Sequence, residues 1–123
     1  MPLTQVPDAL LNAKGAAKAW VIFSGDTDST GAASSANTNR QILASFNVDS
    51  VARTAAGTYV ANLTSGALAD ANYCEVYGSV GQGMASRNAT FTPTATQLGI
   101  TTRSVGAPGT LADVSRCMVV IFD

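Results

Sequence analysis

The chain has 123 residues, 46% hydrophobic and only 12% charged, with a formal net charge of −1. The length fits one domain, and with no block of Lys or Arg the charge speaks against an electrostatic nucleic-acid interface. There is no histidine, so the commonest general base and metal ligand are missing, and no apolar run reaches the roughly 18 residues of a membrane-spanning helix. The charged share is about half the usual one. Much of the surface is therefore Ser, Thr, Asn and Gly, or part of it is covered by other subunits.

Residues 1–17 read as an N-terminal arm and 18–123 as a single domain. The arm holds Pro2, Pro7 and Ala9-Leu10-Leu11, enough for one helical turn or an extended segment, and too short to be stable alone. It lacks a basic start followed by an apolar run, so it does not read as a secretory signal. Residues 18–23, KAWVIF, form the first predicted strand, with Ala19, Val21 and Phe23 on one face and Trp20 and Ile22 on the other. Apolar residues on both faces mark a strand covered on both sides, by its own chain or by a second subunit. Residues 24–40 form a long Ser/Thr/Gly/Asn loop. Asp26, Asp28, Thr30 and Gly31 match the opening of a calcium loop, but Asn37 stands where the bidentate Glu belongs. The competing reading is a solvated loop whose side chains bond their own backbone, from which residues 26–36 can be deleted without loss of the fold.

Residues 42–63 are predicted as a β-hairpin. Ile42, Ala44, Phe46 and Val48 recur at every second position, as in a strand with one buried face, and Tyr59, Ala61 and Leu63 do the same in the return strand. Ala55-Ala56-Gly57 supplies the reversal, in a loop longer than two residues. After a connection at 64–72, residues 73–80 form a strand with Tyr73, Glu75 and Tyr77 on one face and Cys74 and Val76 on the other. Residues 81–87 are predicted as a second flexible loop, and 89–92, around Phe91, as a short strand closed by Pro93. Strands at 100–105 and 113–122 follow, the last apolar on both faces from Cys117 onward. Cys74 and Cys117 read as small buried core residues, with a disulfide open if their strands are neighbours. Nothing asks for a long helix. The fold class is all-β, a compact antiparallel sandwich of jelly-roll-like type with roughly six to eight strands.

The chemistry on offer favours binding over catalysis. Without histidine there is no Ser-His or Cys-His pair, no glycine loop cradles a phosphate, and any two of the scattered acids would be an arbitrary choice of glycosidase pair. No enzyme activity, cofactor or metal is expected. Trp20, Tyr59, Tyr73 and Tyr77 could stack on sugars or anchor an interface, or pack between sheets. Arg53, Arg87, Arg103 and Arg116 could grip carboxylates of a partner.

Five short motifs come in order: KAWVIF at 18–23, ASFNVDSV at 44–51, Gly57-Thr58-Tyr59, DANY at 70–73, and a hydrophobic end at 119–122. In this order they resemble the C-terminal β domain of bacteriophage tail fibres. The resemblance implies a homotrimeric sandwich on the virion, contacting host-cell glycans or holding other virion proteins, with no nucleic-acid partner and no membrane insertion. It also implies synthesis in the host cytoplasm without a signal peptide. A capsid decoration protein that stabilises the virion without a host ligand is the alternative. The candidate receptor-contact residues are Asp26, Asp28, Ser34, Asn37, Gln82 and Arg87. The candidate trimer-interface residues are Trp20, Ile22, Val119 and Ile121.

Overall fold

A computed structural model describes residues 16–81, 83–106 and 109–123. Eight strands follow one another: β1 (Ala17–Asp28), β2 (Arg40–Phe46), β3 (Val48–Ala55), β4 (Thr58–Leu63), β5 (Cys74–Val80), β6 (Gly83–Arg87), β7 (Gln97–Ser104) and β8 (Arg116–Phe122). They form two antiparallel four-stranded sheets, ordered β2-β1-β8-β5 and β3-β4-β7-β6. No helix occurs among the described residues. The arm at 1–15 and Gln82 lie outside them.

Alternation along the strands builds the core. Ala19, Val21 and Phe23 of β1 and Cys117, Val119 and Ile121 of β8 point inward, and meet Val51, Tyr59, Ala61, Leu63, Leu98 and Ile100 of the second sheet. Each such large side chain removed from water contributes about 2 kcal/mol. Phe23 and Tyr59 join the two sheets edge-to-face, with ring centroids 5.2 Å apart. The two faces read for β1 and for β4 are those observed, with Ala19, Val21 and Phe23 and with Tyr59, Ala61 and Leu63 inward.

The middle of the chain departs from expectation. The run at 42–48 is not one strand with a single buried face. Asn47 takes a left-handed conformation (φ 57°), donates from its side-chain amide to the Lys18 carbonyl at 2.8 Å, and accepts from the Thr64 amide. The chain there leaves the first sheet and enters the second. Ala44 and Phe46 consequently face outward while Val48 turns inward. Leu43 is the extra residue of a bulge opposite the Ile22–Phe23 step. The hairpin joins β3 to β4 through two residues, since Ala55 pairs with Thr58. Gly57 sits there at φ 63°, where an added Cβ would lie 2.4 Å from the Thr102 carbonyl.

Residues 83–87 are a strand, not a flexible loop, and 89–92 are a turn. Strand β6 adds to β7, and its first residue must be glycine because a Cβ on Gly83 would lie 2.2 Å from the Val114 side chain. The strand order also departs from a jelly roll. In that arrangement β2 would pair with β7 and β3 with β6, whereas here β2 pairs only with β1, and β3 only with β4. The β1–β8 and β4–β7 pairings are the elements the two arrangements share.

The registers set two ends. Ala17, Cys74 and Phe122 are level with one another, so the start of β1, the turn at Asn47, the 64–73 connection and Asp123 share one end. The segments 29–39, 56–57, 105–106 and 109–115 lie at the opposite end.

Candidate contact surfaces

The segment following β1 is built around two arginines. Arg40 is only 2% exposed, and its guanidinium donates to the Ser34, Ala36 and Thr38 carbonyls and to Thr38 Oγ1 at 2.6–3.2 Å. Arg53 of β3 donates to the Ser35 carbonyl at 2.6 Å and to Asn37 Oδ1 at 2.7 Å. The other edge of its guanidinium binds Asp113, with Nη2 to Oδ2 at 3.0 Å. Asp113 also accepts from Tyr59 Oη at 2.6 Å and from the Gly57 amide at 2.8 Å. Burial pushes the Asp113 carboxyl up, but the bonds from Arg53, Tyr59 and Gly57 outweigh it and hold it below the usual carboxylate value. The same burial, with the Asp113 bond second, raises the Tyr59 phenol. The 29–39 segment is therefore a scaffolded cap whose carbonyls bond buried side chains, and not a loop bonded only to its own backbone. Its carbonyls satisfy two buried cations.

Four of the proposed contact residues meet on this cap. Asp26 accepts from Ser24 Oγ at 2.7 Å, and its carbonyl accepts from the Ser34 amide. Asp28 accepts from the Thr30 and Ala32 amides and from Thr30 Oγ1. The Thr30 hydroxyl bond is the leading cause holding its carboxyl below the ordinary value. The calcium-like opening is thus a self-bonded turn, and no three His, Cys, Asp or Glu come together as a metal site among the described residues. Ser34 and Asn37 serve the arginines as described. An open cleft of about 370 Å³ runs beside the cap along the β2–β3 seam, lined by Ser29, Asn39, Arg40, Gln41, Ile42, Asp49 and Ser50. Sequence reading missed it, because only the crossover at Asn47 brings residues 39–42 against 49–50.

Arg87 is not part of this surface. It ends β6 level with Ile100, toward the opposite end, where it pairs with Glu75 and lies over the Tyr73 ring, 5.9 Å from the centroid. Tyr77, on the same inward face of β5, is packed against the core. Its hydroxyl is buried with no hydrogen-bond partner among the described residues, and desolvation raises its pKa.

The two sheets differ on the outside. The outer face of β3-β4-β7-β6 is mixed: Ser50, Asn62 and Gln97 are bonded in a row and Ser86 to Thr101, while Ala52, Val60 and Gly99 form an apolar row, with Phe91 packed over Gly99 and Met84 of β6 50% exposed. The outer face of β2-β1-β8-β5 is apolar. The registers align Phe46, Trp20, Val120 and Val76 across all four strands, and Ala44, Ile22, Met118 and Gly78 in the next row. Phe46 is 49%, Val76 56% and Val80 48% exposed. Trp20 and Ile22 therefore lie on an outer surface as proposed. Val119 and Ile121 do not: they are 1% and 2% exposed, inside the sandwich, because strand alternation turns them away from Met118, Val120 and Phe122. The placement of these two at a subunit interface is corrected.

The cysteines are free. Cys117 is buried in the core, its thiol pushed up to about 12 by burial. Cys74 is exposed on the outer face, contrary to its predicted core position. Although β5 and β8 are neighbours, Cys74 pairs with Phe122 and Cys117 with Ser79. The thiols are thus on opposite faces and about 17 Å apart along the strands, beyond disulfide reach.

No known protein family, curated protein or solved structure matches the chain.

Proposed function

We propose that this chain is a structural domain of a phage virion, of the trimeric tail-fibre type, with a role in host receptor contact and no catalysis. The observation that carries the reading is a division of labour in the subunit. One sheet face is apolar across four strands, while one end carries a polar cap held by Arg40 and Arg53. A fibre domain needs both, a face for side-by-side packing and an end for presentation. The five resembling motifs fall at structural nodes: β1, the Asn47 crossover, the Gly57 turn, the lead into β5, and β8.

The contact chemistry of the cap is that of neutral hydrogen-bonding ligands. The Asp26 and Asp28 carboxylates at the end of β1 and the Asn37 amide of the cap, with Asn39, Gln41, Asp49 and Ser50 of the adjoining cleft, match the hydroxyls of a cell-surface glycan. The cap supplies no stacking ring, so affinity would come from several weak sites presented together. The test is solution mass by light scattering, followed by binding to immobilised bacterial surface polysaccharides. The expected result is a mass near three times 12.5 kDa, with binding reduced by Asp49→Ala and by Gln41→Ala. A trimer that binds no surface polysaccharide would favour the decoration role. A subunit that remains single would overturn the fibre-type assembly.

A further inference from the structure

We infer that the cleft along the β2–β3 seam is a binding site for a sugar unit that carries a protonated amine, which it selects over neutral and acidic sugars. The inference rests on the glycan-contact reading above and adds to it the charge of the ligand. Three lining groups are fixed from outside the cleft, and this decides what each has left to offer. Gln41 uses its side-chain carbonyl to accept from Thr27 Oγ1 at 3.1 Å, which leaves its amide N–H groups to donate. Ser50 Oγ accepts from Asn62 Nδ2 at 2.9 Å, and Asn62 is held in turn by Gln97. The Ser50 proton is therefore left to donate. Asp49 spends Oδ1 on the Thr64 hydroxyl at 2.7 Å, and its Oδ2 has no partner among the described residues. Ile42, half-buried against the core, supplies an apolar patch. The volume of about 370 Å³ lies at the small end of ligand sites.

The charge of the ligand follows from where the cations are. Arg40 lines the cleft but is only 2% exposed, and its guanidinium is consumed by the Ser34, Ala36 and Thr38 carbonyls and the Thr38 hydroxyl. Arg53 is paired with Asp113. No ion pair reaches Asp49 among the described residues. A sugar bearing a carboxylate or phosphate would therefore meet the exposed Asp49 charge and no free guanidinium. A neutral hydroxyl can bond the free Asp49 oxygen, but an ammonium forms a charge-assisted bond there, roughly twice as strong. An ammonium is a donor only, so it answers Asp49, while the ring hydroxyls of the same sugar accept from Gln41 and Ser50.

The test is an NMR titration of the full chain with a chitosan tetrasaccharide, its fully N-acetylated counterpart and a glucuronate tetrasaccharide, at a pH where the sugar amine is protonated. Shifts of the Gln41, Asp49 and Ser50 amides locate the site. The expected order of affinity is free amine, then N-acetylated, then glucuronate. The first two should differ by about fivefold, the worth of one exposed ion pair, and the gap should narrow with added salt. Asp49→Asn keeps an oxygen for the Thr64 hydroxyl and loses the charge, so this variant should bind the amine and N-acetylated forms alike. Three results overturn the inference and leave the glycan reading standing. They are N-acetylated or glucuronate binding as tight as that of the amine, an amine preference that survives Asp49→Asn, and an amine preference whose shifts fall outside the cleft. Binding of an amine-free surface polysaccharide by a chain that ignores chitosan does the same. A chain that binds none of these tetrasaccharides and no surface polysaccharide overturns both.

Discussion

Asp113 gathers more of the fold than any other side chain. Its two oxygens take the Arg53 guanidinium, the Tyr59 phenol and the Gly57 amide, tying the 109–115 segment to β3, β4 and the hairpin turn at once. Replacing it with Asn keeps the shape but leaves Arg53 as an uncompensated, largely buried cation. Asp113→Asn should therefore cost about 3 kcal/mol at neutral pH. Because the folded-state carboxyl sits below its unfolded value, its contribution is full above the unfolded pKa of about 3.9. It is lost as pH falls through the lower, folded value. Urea denaturation across pH should show wild type losing its advantage over the variant below about pH 4, and a pH-independent gap would refute the linkage. Tyr77 is the reverse case. Its buried hydroxyl has no partner among the described residues, so Tyr77→Phe removes a desolvated polar group at no packing cost. It should be neutral or stabilising by up to about 1 kcal/mol. A loss of more than that would mean the hydroxyl is bonded in solution.

At the scale of elements, the 29–39 cap is the sharpest difference between the sequence and the folded chain. By composition it is a solvated Ser/Thr/Gly/Asn loop, yet its carbonyls at Ser34, Ser35, Ala36 and Thr38 are the acceptors for Arg40 and Arg53. Deleting residues 26–36 removes the Ser34, Ser35 and Ala36 acceptors, leaving the buried Arg40 with Thr38 alone and Arg53 with Asn37 and Asp113, and should leave the chain unfolded or molten. A cooperative thermal transition close to that of wild type would show that the cap is dispensable. What was legible elsewhere follows from periodicity. Which residues of β1 and of β4 share a face, and the shared face of Tyr73, Glu75 and Tyr77, could be read because strand alternation is local. The split at Asn47 could not, because an alternating run reads the same whether one strand continues or the chain crosses between sheets. Strand β6 was hidden for a similar reason. Gly83, Met84, Ala85, Ser86 and Arg87 have the composition of a loop, and become a strand only because β7 offers a free edge and Val114 occupies the space over Gly83.

At the scale of the whole molecule, the sequence signalled covered strands but not which of their residues did the covering. Apolar residues on both faces of β1 and β8 pointed to burial on two sides. Only the registers divide them into a core set, with Val119 and Ile121, and an outer set, with Trp20, Met118 and Val120. The division changes the choice of experiment. Aspartate at Val21 or Val119 would unfold the subunit and say nothing about assembly, whereas lysine at Val76 tests the outer surface alone. The cap residues were legible as a group because they are close in sequence; the cleft beside them was not, since it joins two sheets. The β1–β8 pairing carries a further consequence, in time rather than in space. Ala17 lies opposite Phe122 and Trp20 opposite Val120, so the middle of the first sheet joins the first and the last of the eight strands. Loop-closure entropy makes such long-range pairings slow to form. Until β8 has left the ribosome, β1 has only β2 beside it, and the apolar stripes on both its sides stay open to water. The nascent domain is thus at its most aggregation-prone before β8 emerges, and β8 is the strand that closes the first sheet.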